Sequence, residues 1–70
     1  MVETMQLTVN GKGRQLDGPL TLLGLLERLG VDPRIVAVEH NGEIVKRDRY
    51  AETSLADGDR LEVVRMVGGG

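Results

Sequence analysis

The residues of this chain whose types and spacing could do chemistry stand at its C-terminus, where the sequence ends RMVGGG. Glycine loses more conformational freedom on ordering than any other residue and offers no side chain to pack. Gly68, Gly69 and Gly70 therefore add nothing to a core. What they offer is slimness: without Cβ atoms, such a segment can thread a channel too narrow for other residues and bring its terminal carboxylate to a partner's catalytic centre. A carboxylate is a poor electrophile, but joined to an activated phosphate it becomes a mixed anhydride that a nucleophile can attack. The chain carries no visible ATP site, so that activation belongs to another protein. A frayed terminus or an expression remnant is the plainer account of three glycines. Here they follow a strand-like segment with no polar linker between.

Other constellations are weaker. Ser54 has no acid–base relay in the sequence, and His40 stands beside a turn, where a histidine is ordinarily solvated. GKGRQLDG contains a G-x-G, but between two hairpin strands rather than between a strand and a helix. It also lacks the Gly-Lys-Ser/Thr ending of a phosphate loop. Asp57, Asp59 and Glu62 match no EF-hand spacing and read as a solvated turn. There is no cysteine and one histidine, which leaves neither a thiolate nucleophile nor a zinc set.

The elements that must position the tail follow from patterning. Met5, Leu7 and Val9 alternate with Gln6 and Thr8, the period of a half-buried strand. Asn10-Gly11 is a hairpin turn, and the second strand is expected over Gly13 to Leu16, before Asp17-Gly18-Pro19 breaks the pattern. Thr21 reads as a helix N-cap. Leu22, Leu23, Leu25, Leu26 and Leu29 recur at helical spacing, with Glu27 and Arg28 left to solvent. Gly24 costs the helix about 1 kcal/mol against alanine, which close packing of the helix on a sheet would explain. Gly30 ends the helix and Pro33 follows. Ile35 to Val38 is β-branched and apolar, hence a strand; His40-Asn41-Gly42 turns it, and Glu43 to Val45 begins the return. Lys46 to Glu52 reads as irregular surface anchored by Tyr50, and Leu55 as a core plug before the tight turn Asp57-Gly58-Asp59. Arg60 to Met66 is the last strand, with Leu61 and Val63 on one face and Arg60, Glu62, Val64 and Met66 on the other. The order β-β-α-β-β-β predicts an α+β roll, one helix laid across a mixed sheet of about five strands. Residues 1–66 form the folded domain and 67–70 a flexible tail.

Composition narrows the function. Seventy residues make one domain that buries only about 60% of its unfolded surface, a poor host for a deep substrate pocket. A formal charge of −2 and a single aromatic, Tyr50, argue against nucleic-acid binding. No apolar run approaches the roughly 20 residues of a membrane span and no signal-peptide pattern opens the chain, so the cytoplasm is the expected compartment. These features favour a module that meets larger partners over a free-standing enzyme.

In order, the segments TVNGKG, TLLGLLERLG, VAVEHNGEIVKRDRYAET, DGDRLEVVRM and the terminal glycines resemble the ThiS-type ubiquitin-like sulfur carriers of thiamine biosynthesis. Lys46 stands where that family often has proline, and Tyr50 where it often has tryptophan. The resemblance implies a β-grasp fold and a protein co-substrate rather than an enzyme, with no cofactor bound by the chain itself. It implies a ThiF-type adenylating enzyme that uses ATP and magnesium to make an acyl-adenylate at Gly70. Sulfur from cysteine, supplied as a persulfide by a cysteine desulfurase system, then leaves a Gly70 thiocarboxylate, and a ThiG-type thiazole synthase takes the sulfur. Gly68 and Gly69 give reach into the partner's site. Val64 and Met66, exposed on the last strand, are candidate docking residues, with Arg60 and Arg65 adding charge complementarity. Three other readings share the tail: a sulfur carrier for molybdopterin or for tRNA thiolation, a ubiquitin-like modifier joined to lysines, and an interaction domain whose tail is idle.

Overall fold

The computed structural model describes residues 3–66. β1 (Glu3–Val9) and β2 (Lys12–Gly18) form the first hairpin, α1 (Leu22–Arg28) follows, and β3 (Val36–His40), β4 (Glu43–Val45) and β5 (Arg60–Arg65) complete a five-stranded sheet. The strand order is β2-β1-β5-β3-β4. β5 runs parallel to β1 and antiparallel to β3, so the sheet is mixed and the last strand lies at its centre. One helix across one face of such a sheet is the β-grasp roll.

Both hairpins close through two-residue turns whose central residues have positive φ: Asn10 at 51° and Gly11 at 80°, then Asn41 at 51° and Gly42 at 88°. These are the values of a type I′ turn, whose twist matches that of the flanking strands, and Asn-Gly is the pair that adopts it most readily. β2 runs two residues further than the expected Gly13 to Leu16, because Asp17 and Gly18 still pair with Thr4 and Glu3. The break comes at the Gly18–Pro19 peptide, which is cis.

α1 is closed at both ends. The Thr21 hydroxyl accepts from the Gly24 N–H at 3.1 Å. The preceding two N–H groups donate to loop carbonyls, Leu22 to Thr53 at 2.8 Å and Leu23 to Tyr50 at 3.0 Å. At the other end Val31 N–H donates to the Leu26 carbonyl and Gly30 N–H to that of Glu27, the Schellman pattern. Leu22, Leu25 and Leu26 are fully buried against Met5, Leu7, Val9, Val36, Val38 and Leu61. Gly24 is tight for a different reason from the one expected: a Cβ there would lie 3.1 Å from Leu20 Cδ1 and 3.4 Å from Thr21 Oγ1, not against the sheet.

Two further expectations shift. Ile35 belongs to a 3₁₀ turn (Pro33–Ile35) and is exposed, so β3 begins at Val36. The stretch Lys46 to Glu52 contains a second 3₁₀ turn (Arg47–Arg49). Tyr50 anchors it as expected, buried with its hydroxyl donating to the Val36 carbonyl at 3.4 Å, and Leu55 plugs the core.

Candidate functional site

β5 is the last described strand before residues 67–70, and the hydrogen bonds around it fix its position. At its start, Thr8 N–H donates to the Asp59 carbonyl, and the backbone of Asn41 and its side-chain oxygen bracket Arg60. Midway, the Asn10 side chain clamps one residue from both sides: its Oδ1 accepts from the Val63 N–H at 2.7 Å and its Nδ2 donates to the Val63 carbonyl at 3.1 Å. At its end, Met66 N–H donates to the Ile35 carbonyl at 2.7 Å. Gly68, Gly69 and Gly70 lie outside the described residues.

Alternation along β5 places the other candidates on two faces. Leu61 and Val63 face the helix. Arg60, Glu62 and Val64 project from the open face, and Val64 and Met66 are 59% and 55% exposed. Arg65 has the parity of Leu61 and Val63 and lines a groove on the helix side, so it does not join the open-face group. Register adds a residue the sequence reading missed. Ile44 pairs with Glu39, which pairs with Glu62, so Ile44 shares the open face and is 79% exposed. A three-residue strand is too short for its alternation to announce which side faces out; only pairing settles it.

Of the residues read as a solvated turn, Asp57 and Glu62 are exposed, while Asp59 joins His40 in a part-buried cluster. His40 Nε2 lies 2.7 Å from Asp59 Oδ2, with the two side chains only 21% and 13% exposed. Asp59 also accepts from Ala56 N–H at 2.8 Å and Asn41 Nδ2 at 3.1 Å. Burial pushes the Asp59 carboxyl up, but the bonds from His40, Ala56 and Asn41 outweigh it and hold its pKa below the ordinary carboxylate value. Asp57 is used too, accepting from the Gln6 N–H at 2.6 Å. The cluster ties the loop before β5 to the second hairpin turn and to β1. Ser54 pairs with Thr21 in an isolated bridge. Among the described residues no group of three or more His, Asp or Glu side chains could hold a metal, and no helix is long and apolar enough to cross a membrane.

The ThiS family model matches residues 7–70. This chain belongs to the ThiS family. The sulfur carrier protein ThiS of Bacillus subtilis is 44% identical over 50 residues, covering 71% of this chain and 76% of that one. The crystal structure of the thiamine biosynthesis protein ThiS from Geobacter metallireducens superposes with a TM-score of 0.83 at 42% identity, covering 94% of this chain and all of that one. A thiazole synthase of Paramagnetospirillum magneticum is 48% identical over 66 residues, 94% of this chain but 20% of that protein's length.

Proposed function

We propose that this ThiS-family chain carries sulfur on its last residue for assembly of the thiazole of thiamine. A ThiF-type enzyme joins the Gly70 carboxylate to AMP, consuming ATP with magnesium and releasing pyrophosphate. A persulfide sulfur, supplied from cysteine by a desulfurase system, attacks the acyl carbon and AMP departs. A thiol then reduces the resulting acyl disulfide and leaves a thiocarboxylate at Gly70. A thiazole synthase of the ThiG type takes that sulfur. The chain is a co-substrate: it contributes the carrying atom and a recognisable body, while its partners supply the catalysis.

The family match that runs to residue 70 carries this reading. A segment 48% identical to nearly all of this chain within a protein named thiazole synthase argues that carrier and synthase act on one another. The open face is the natural place for the body to be recognised. Val64, Met66 and Ile44 expose apolar surface there, and Arg60 lies alongside on the same strand.

Intact mass spectrometry tests the chemistry. Incubated with the adenylating enzyme, ATP and a sulfur donor, the protein gains one sulfur in place of one oxygen at its terminus, and a chain extended by one trimming-resistant residue after Gly70 gains none. Equal sulfur transfer by the extended chain defeats the proposal, and covalent adducts on lysines that survive reductant would point to a modifier. Val64→Asp tests docking: it should leave the thermal midpoint within a few degrees, since exposed substitutions usually cost within about 0.5 kcal/mol, and abolish co-elution with thiazole synthase.

A further inference from the structure

The helix covers only part of the sheet face it packs on. α1 has seven residues, about 10 Å of helix, against strands of seven residues that run about 23 Å. Positions of inward parity beyond its reach need not be apolar. Lys12 pairs with Val9 and Arg14 with Leu7, so both cations stand on the helix side of β2. Arg65 stands on the same side of β5. Together they line an open groove of about 570 Å³ whose apolar wall includes Leu29, Val31 and Ile35. The ion pairs among the described residues are Asp32–Arg34, His40–Asp59 and Arg49–Glu52. None of the three groove cations has a carboxylate partner among those residues. Asp32, the one acid lining the groove, is already bound by the guanidinium and N–H of Arg34.

We propose that this groove receives an extended acidic peptide segment of a partner protein, lying on the helix side of the sheet beside β2 and anchored there by apolar side chains. Two observations converge on that occupant. Lys12 and Arg14 are two residues apart on one strand face, about 7 Å, which is the spacing of same-side side chains on an extended peptide. Cations spread in this way suit alternating acidic residues better than one compact anion. The wall supplied by Leu29, Val31 and Ile35 suits apolar side chains from the same segment. The groove lies on the face opposite Val64 and Ile44, so its failure leaves the carrier reading standing.

Titration of the ¹⁵N-labelled 70-residue chain with the peptide acetyl-EVIVEDE-amide, followed by NMR at low ionic strength, tests this. Saturable shifts are expected at Lys12 to Leu16, at Leu29 to Val31, and at Ile35 and Arg65, with none from acetyl-KVIVKKK-amide. Lys12→Glu with Arg14→Glu should weaken binding at least about fivefold, the loss of two exposed charge pairs. Arg65→Glu, on a different strand, gives the same reading should the double variant fold poorly. Absence of saturable shifts, or shifts centred on Ile44 and Val64, overturns the proposal. So does an equal response to inorganic pyrophosphate or to phosphatidylglycerol vesicles. It also falls if a chain lacking residues 67–70 binds the peptide and the intact chain does not, because the occupant is then the protein's own terminus.

Discussion

Asn10→Ala should be among the most damaging single changes at an exposed position. The side chain makes two hydrogen bonds to the backbone of Val63, fifty-three residues away, and the backbone sits at φ 51°. Each bond contributes about 0.5–1.5 kcal/mol net, taken at the lower end because Asn10 is exposed. Forcing alanine into left-handed backbone costs about a further 1 kcal/mol. The sum is about 2–3 kcal/mol, a large fraction of the about 5–15 kcal/mol that holds a domain folded. Urea unfolding followed by far-UV circular dichroism reads it directly. With a slope of about 1 kcal/mol/M for so small a protein, the midpoint should fall by about 2–3 M. Asn10→Asp separates the contributions: it keeps the turn preference and the acceptor for Val63 N–H, but sets a carboxylate oxygen against the Val63 carbonyl. It should therefore be destabilised at neutral pH and recover as the new carboxylate is protonated. A loss below about 0.5 kcal/mol for Asn10→Ala, the level of an ordinary surface substitution, would mean that water replaces this clamp without cost and that β5 is held by its ladders alone.

Gly24→Ala would ordinarily gain about 1 kcal/mol of helix propensity, but the added Cβ meets Leu20 Cδ1 at 3.1 Å; the net change by thermal unfolding should lie within about 0.5 kcal/mol of zero, and a full gain would show that Leu20 moves freely. Glu39 and Glu62 pair directly across β3 and β5, and like charges so placed oppose the sheet. Glu62→Gln should therefore raise stability by about 0.2–1 kcal/mol, more at low salt than at high, and a loss would show that the two carboxylates are kept apart. The lowered pKa of Asp59 means that its contribution is complete above the unfolded value near 3.8 and is lost as pH falls through the still lower folded value. Asp59→Asn should thus melt below wild type at neutral pH, with the gap narrowing below about pH 4; a gap that is constant down to pH 2 would refute the assignment.

Much of this fold is legible in local pattern. The leucines of α1, the alternation in β1 and the two Asn-Gly turns each declare their element, because each obeys a rule that spans only a few residues. The less legible parts are those settled by pairing across the chain. Nothing near His40 announces that Asp59 will shield it, since the two meet only after β5 inserts between β1 and β3. Ile44 cannot be placed until Glu39 is opposite it. Gly24 is explained by Leu20, four residues earlier, which a reading focused on the sheet overlooks. The proposed reactive end rests on a different kind of signal: three glycines and a carboxylate need no tertiary context to suggest a chemistry, whereas the exposed apolar surface proposed for docking emerges only when Val64, Met66 and Ile44 are brought to one face.

The central position of β5 has a consequence for any chemistry at Gly70. A strand paired on both sides cannot slip by one residue without turning Leu61 and Val63 out of the core and Glu62 and Val64 into it, so its register is held by the whole hydrophobic interior. The Asn10 clamp on Val63 and the bond from Met66 to Ile35 hold the same register from outside the ladder. Met66 is therefore held at a position defined to the residue. Residues 67–70 can span at most about 13–14 Å. On the proposed function that span is the distance over which a partner must bring its catalytic centre to the docked body. An inserted glycine between Met66 and Val67 would lengthen the tail without altering its chemistry or the fold. If sulfur transfer survives that insertion undiminished, the partner reads only the terminus; if transfer falls while the isolated protein melts unchanged, the body works as a ruler as well as a handle.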